Sequence, residues 1–258
     1  MIKCEKIPLN IGKWFKFCPA DYMIAGVISE NMSAHFYVNN VENPTIFIVL
    51  NHYSIYVDGV GEPEEIEKAV THFKELVFQE TGRDLVEARF LYPNMEWKNN
   101  IINALGKNNC DVWDRTVYRF NSNETINCID KNIYPITADI MQNENIKNKE
   151  MIIDEVGNSD KFLKERFGCC IILNNKIAGF CTAEYMSERM CGIGIAVIPE
   201  EQRKGYASIM SQYFINMCIE REIVPHWDCW TNNIGSMKTA QKANFIKVND
   251  YGVVVITS

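Results

Sequence analysis

The chain has no surplus of positive charge. It holds 26 Lys and Arg against 33 Asp and Glu, a formal net charge of −7. A general nucleic-acid binder needs cations to neutralise phosphates, so no nucleic-acid partner is expected. The acidic surplus lies mostly in residues 1–127 and suits a cationic acceptor better than an anionic one. No uncharged apolar run reaches the length of a membrane helix. Lys3, Lys6, Lys13 and Lys16 are followed by no apolar segment of the signal-peptide kind. The expectation is therefore a cytoplasmic protein without a membrane partner. The ten cysteines are scattered, with no Cys-x-x-Cys pair and no neighbouring His at zinc spacing. No metal site is expected, and the thiols read as reduced and mostly buried. Cys169 and Cys170, adjacent in a strand, should face opposite ways. Hydrophobic residues make up 47% of the 258 and charged residues 23%, which excludes a disordered, collagenous or coiled-coil chain. The length suits one large domain or two of about 130 residues.

Two polar stretches, 121–125 and 143–149, look least like core. The first places a boundary near residue 127, giving domains 1–127 and 128–258. In the first, 45–50 reads as a buried strand that 54–57 extends or pairs with, and Asp58-Gly59 reads as a turn. Pro63 opens a helix with Glu64, Glu65 and Glu67 in its first turn. Its buried face runs through Ile66, Ala69, Val70, Phe73, Leu76 and Val77. A strand at 86–91, a helix at 96–105 stopped by Gly106, and a strand at 116–120 follow. In the second half, strands are expected at 133–136, 169–173, 177–185, 192–198, 226–231 and 253–256. Asn174-Asn175-Lys176 signals a hairpin. Helices are expected from near Thr137 and at 159–167, 206–217 and 234–243. The similar order of the two halves suggests a duplicated unit.

The chemically informative segment is Ile193 to Ala207. A strand bearing Gly192 and Gly194 runs into a turn, and the turn opens an amphipathic helix. The first N–H groups of that helix have no internal partner, and its dipole adds partial positive charge at the same point. This makes a phosphate seat. Gly205 lets a ligand approach the backbone, Ala207 keeps the first turn narrow, and Arg203 and Lys204 add charge.

Gln202-x-x-Gly205-x-Ala207 resembles the Gln/Arg-x-x-Gly-x-Gly/Ala loop of the GNAT superfamily of N-acetyltransferases. Asn233, Ser236, Lys242 and Phe245 resemble that superfamily's closing helix, with Asn244 in place of its usual Gly. Asn is the next-best residue for a left-handed helix stop. Pro225-His226-Trp227-Asp228-Cys229 is similar to a strand of a bacterial branch whose members carry an extra N-terminal domain. The resemblance implies an α+β chain. Its C-terminal GNAT fold would have a mixed, mostly antiparallel central sheet, splayed into a V and flanked by helices. Its N-terminal α/β domain would be structural, acceptor-side, or a degenerate half of the same kind.

The resemblance further implies acetyl-CoA as donor and an amine of a small molecule as acceptor, in direct attack within a ternary complex and without metal. A diphosphate would sit on the amides of Arg203, Lys204, Gly205, Tyr206 and Ala207, after Gln202. The pantetheine arm would lie along Ile195, Ala196 and Val197. Asn233 and Ser236 would contact the lower arm or the adenosine. Candidates to take the amine's proton are Glu184, His226 and Asp228. The superfamily's usual Tyr acid falls at Ala240, which leaves Tyr251 or solvent to protonate the thiolate. Gly192 stands where the branch often carries an acid. These two gaps keep open a non-catalytic acyl-CoA-binding module, and a protein amine is the other alternative acceptor. A monomer or homodimer is expected. In the first half, Asp58–Pro63 occupies the place of a phosphate loop. There Glu62, Glu64 and Glu65 repel phosphate and Pro63 removes a donor, so no cofactor is expected.

Overall fold

The computed structural model describes residues 1–5, 15, 20–29, 34–80, 87–122, 126, 132–153 and 157–257. Contacts group the chain into two compact units. Unit 1 comprises Met1–Val117, Trp230–Asn232 and Val248–Ser258, and unit 2 comprises Tyr118–Cys229 and Asn233–Lys247. A division into 1–127 and 128–258 assigns the C-terminal strand to the second half, whereas from Val248 onward it groups with the first. Residue 127 itself lies outside the described residues.

Unit 1 begins with β1 (Ile2–Lys3), α1 (Ala20–Ile28), β2 (His35–Val38), β3 (Ile46–Asn51) and β4 (Ser54–Gly59). It continues with α2 (Pro63–Glu80), β5 (Glu87–Leu91), α3 (Met95–Leu105) and β6 (Asp111–Phe120), whose end enters unit 2. Strand β3 is apolar without alternation because both its faces are buried. It forms an antiparallel hairpin with β4. Asp58 and Gly59 belong to β4 rather than to a turn. Acids in the first turn of α2 interact favourably with the positive end of its dipole, and Ile66, Ala69, Val70, Phe73 and Val77 bury its other face against β3 and β4. In α3, Asn94 caps the N-terminus by accepting from the Trp97 amide at 3.0 Å. Strand β5 pairs parallel to β4 through Ser54↔Arg89, Ile55↔Phe90 and Tyr56↔Leu91.

Unit 2 runs β7 (Ile133–Pro135), α4 (Ala138–Gln142), α5 (Glu150–Ile153), α6 (Ser159–Glu165), β8 (Gly168–Leu173) and β9 (Lys176–Glu184). After these come β10 (Met190–Val197), α7 (Tyr206–Glu220), β11 (Val224–Trp230), α8 (Ile234–Lys242) and β12 (Phe245–Thr257). Strands β7, β8, β9 and β10 pair antiparallel in that order, and β11 joins β10 in parallel. Asn174 and Asn175 both take positive φ at the β8–β9 hairpin, as a tight primed turn requires. Cys169 packs with Met210 and Phe214 of α7, while Cys170 faces the opposite side with Met141 and Phe162. None of the eight described cysteines is in a disulfide, and six are buried. Burial pushes the Cys170 thiol up to about 12.

From Val248, β12 returns to unit 1 and pairs antiparallel with β5, Val253 opposite Leu91. It is much longer than the expected strand at 253–256. Residues 246–250 are exposed on both faces, so no apolar alternation marks them. The two units repeat one order. In unit 1, β2, β3, β4, α2, β5 and α3 follow each other with β4 and β5 parallel. In unit 2, β8, β9, β10, α7, β11 and α8 do the same with β10 and β11 parallel. Among the described residues no helix is long and apolar enough to cross a membrane.

Candidate active site

Strand β10 keeps its partner β9 from Gly192↔Glu184 to Val197↔Gly179. Its pairing with β11 covers only Met190↔Val224, Cys191↔Pro225 and Gly192↔His226. Beyond that point β11 diverges, and the edge of β10 from Ile193 to Val197 has no ladder partner among the described residues. This is the expected splay. Trp227, buried on β11, donates its indole N–H to Ser236 Oγ at 2.9 Å. The Ser236 amide donates to Asn233 Oδ1 at 3.0 Å and so caps α8. Both expected contact residues on α8 are thus held in place by the strand that swings away.

Below the splay, a short 3-10 turn at Pro199–Glu201 leads to Gln202, whose Nε2 donates to the Val197 carbonyl at 3.0 Å. That bond ties the loop to the end of β10. Arg203 has φ +62° and Gly205 φ +90°. Gly205 is the N-cap of α7 and offers no side chain to the helix. Among the described residues, no group accepts a hydrogen bond from the main-chain N–H of residues 203–208. Arg203, Gly205, Tyr206, Ala207 and Ser208 line a cavity of about 550 Å³ together with Ile195, Ala196 and Val197 of β10. Asn233 and Ser236 line it from α8. Lys204 does not; its ammonium pairs with Glu201 at 2.9 Å. The residues present therefore fit a diphosphate-bearing carrier: open amides at a helix N-terminus beside an unpaired strand edge.

Sequence reasoning missed part of this wall. Ser208, Trp227, Lys238, Thr239 and Lys242 also line the cavity. Counting turns from Asn233 puts 235, 238, 239 and 242 on one face of α8, so that signal was available. Volume alone does not single the site out. An opening of about 640 Å³ in unit 1 is lined by Lys74 and Phe78 of α2 and by Asn108–Asp111, past the C-terminal end of α3, so no helix N-terminus faces it.

The proton-transfer candidates follow from strand alternation. Cys181, Ala183, Cys191, Ile193 and Ile195 face α7. Thr182, Glu184, Gly192 and Gly194 face the other way. On β11, Trp227 and Cys229 pack toward α8, so His226 and Asp228 share the face of Glu184. Glu184 and Asp228 are half-buried. A Cβ on Gly194 would overlap the Glu184 carboxylate, which occupies the space left by that glycine. His226 is buried, and desolvation together with the positive charge of Arg119 lowers its pKa to about 4. A neutral imidazole of that strength is a poor proton acceptor near neutral pH. Tyr251 is buried on β12 within unit 1. Ala240 is fully buried in the cluster of Trp227 and Phe245. Among the described residues, no three His, Cys, Asp or Glu side chains gather as metal ligands do.

Fold and site together define a protein able to dock a phosphorylated carrier along an open strand edge. The model of the GNAT acetyltransferase family matches residues 14–254. The chain belongs to that family, whose members use acetyl-CoA as acyl donor. Over 118 residues it is 26% identical to the uncharacterized N-acetyltransferase YdfB of Bacillus subtilis (strain 168), covering 46% of this chain and 45% of that protein. It thus spans under half the length of that curated relative. Its fold matches a GCN5-related N-acetyltransferase-like protein from Streptococcus suis 89/1591, with TM-score 0.69, 16% identity and coverage of 96% of this chain and 97% of the other. It also matches a tandem GNAT protein from the clavulanic acid biosynthesis pathway, with TM-score 0.57, 10% identity and coverage of 96% and 91%.

Proposed function

We propose that the chain transfers an acetyl group from acetyl-CoA to a primary amine of a small molecule, by direct attack in a ternary complex. The observation that carries this reading is the run of open amides at 203–208 beside the unpaired edge of Ile193–Val197. In it, those amides and Arg203 hold the diphosphate, and Ile195, Ala196 and Val197 bond the pantetheine arm as an added strand. Asn233 and Ser236 contact the lower arm or the adenosine.

The amine nitrogen attacks the thioester carbonyl carbon, the carbon–sulfur bond breaks, and the coenzyme leaves as thiolate. Glu184 or Asp228 takes the proton that the amine sheds. Tyr251 or solvent returns a proton to the thiolate. A leaving group with a pKa of about 8.5 does not demand a dedicated acid. Pro225–Cys229 supports membership of the bacterial branch with an added N-terminal domain. We assign residues 128–258 to acetyl transfer and residues 1–127 to an acceptor-side or structural role, in a cytoplasmic monomer or homodimer.

A second reading, a non-catalytic acyl-CoA-binding module, is favoured by Ala240, whose burial leaves the usual Tyr without a counterpart. Titration with coenzyme A followed by thiol release across amine and peptide panels separates the readings. Turnover with a small amine supports the first. Binding without turnover supports the second. Turnover only with peptides assigns a protein acceptor. Absence of coenzyme A binding defeats all three.

A further inference from the structure

We infer that Lys238 and Lys242 form a seat for a third phosphate, the 3′-phosphomonoester of coenzyme A, so that the site selects 3′-phosphorylated donors over their dephospho forms. This rests on the donor reading above and adds a specificity to it.

The two lysines are one turn apart on α8, and both line the cavity. Neither has an acidic side chain within ion-pair distance among the described residues. The acid on the cavity wall, Glu201, is engaged by Lys204. Like charges at i and i+4 destabilise a helix, the more so without anions nearby. Lys242 sits in the last turn, where the helix dipole favours a cation, but Lys238 sits mid-helix and has no such reason. In a chain of net charge −7, an unpaired cation pair turned toward a cavity calls for an anion from outside.

The diphosphate does not fill that need. The open amides of residues 203–208 and Arg203 already meet it on the α7 side. Lys238 and Lys242 lie about 7 and 13 Å along α8 from Asn233. They are thus set apart from the helix terminus that Asn233 caps. A phosphomonoester carries about −1.5 to −2 charges at neutral pH, which two ammonium groups match. Lysine suits this role as a point charge on a long stem that follows a mobile phosphate.

The test is calorimetric titration of the full chain and of Lys238→Ala/Lys242→Ala with coenzyme A and with 3′-dephospho-coenzyme A. Both lysines are exposed, so the variant keeps its fold. The unaltered chain should bind coenzyme A about tenfold more tightly than the dephospho form. In the double variant the two affinities should converge to within about twofold, with the dephospho affinity unchanged. Lys238→Arg/Lys242→Arg should retain the preference. Equal affinities in the unaltered chain overturn the inference while leaving the donor reading intact. Equal losses for both ligands in the variant overturn it as well, by assigning the lysines to the diphosphate. Failure of both ligands to bind defeats the donor reading and this inference with it.

Discussion

The Glu184 carboxylate lies across the Cα of Gly194, in the space where any other residue would carry its Cβ. The register makes this a diagonal contact. Glu184 is paired with Gly192, and its side chain leans along β9 over the next outward position of β10. An acid is thereby held beside the stretch of β10 that β11 leaves unpaired. Gly194→Ala must displace that carboxylate while leaving the loop at 203–207 untouched. With Glu184 taking the amine's proton, the variant should lose about 10²-fold in kcat, as should Glu184→Gln. Coenzyme A affinity should not change. The double variant should fall no further than either single one, since both remove one function. The acidic limb of the pH–rate profile should be absent in both Glu184 variants. Undiminished turnover in Glu184→Gln would transfer the role to Asp228.

Gly205 offers a test of the phosphate seat in which strain and charge separate. Its φ of +90° is costly for any L-residue, yet a Cβ there would meet open space. Gly205→Ala should therefore lower stability by about 1–2 kcal/mol through backbone strain. Gly205→Glu adds a carboxylate at the mouth of the open amides. It should weaken coenzyme A binding at least about tenfold beyond the Ala variant at similar melting temperature. Equal coenzyme A affinity in the two variants would remove the diphosphate from this loop.

What the residues alone revealed depended on how local the signal was. The turn from Gln202 to Ala207 is local chemistry, and the structure has its amides open and facing a cavity. Helices α2, α3, α7 and α8 followed from apolar spacing and capping residues within each. The hairpin at Asn174-Asn175 followed from two residues that tolerate positive φ. Other features depend on partners distant in the chain. The contact of Glu184 with Gly194 requires the register between two strands. The exposed half of β12, residues 246–250, shows no alternation because neither face is buried there. The short β2 has too few residues to display a period. Lys238 and Lys242 were legible as one face of a helix, but only knowledge of what that face lines gives them meaning.

Trp97 closes the opening in unit 1 that corresponds in topology to the splay of unit 2. Beyond Tyr56↔Leu91 the strands β4 and β5 no longer pair, and the buried Trp97 indole donates to the Gly59 carbonyl at 2.9 Å. The strand edge that an acyl carrier would use in a second site is thus engaged by the protein's own side chain. The acids at Glu62, Glu64 and Glu65 argue the same way from charge. Trp97→Ala should cost about 3–5 kcal/mol by leaving a cavity and an unmatched carbonyl. Calorimetry should still find a single coenzyme A per chain. A second equivalent bound by the variant would mean that unit 1 retains a cradle that only the indole obstructs.

His226 gives the fold a pH dependence whose sign is fixed by burial. In the folded chain its pKa is about 4, against 6.5 for an unperturbed histidine, because desolvation and Arg119 both disfavour the imidazolium. Between these values the unfolded chain binds the extra proton and the folded chain does not. Stability from this group is therefore fully present above pH 6.5 and is lost progressively as the pH falls toward 4. The loss over that window is about 3 kcal/mol. Denaturant midpoints measured at pH 7.0 and 4.5 should differ accordingly, whereas His226→Gln should show a shallower decline over the same range. Gln keeps hydrogen-bonding capacity in the strand but cannot take up the proton, so the comparison isolates the titration. A variant that declined as steeply as the unaltered chain would assign the acid sensitivity to carboxylates elsewhere.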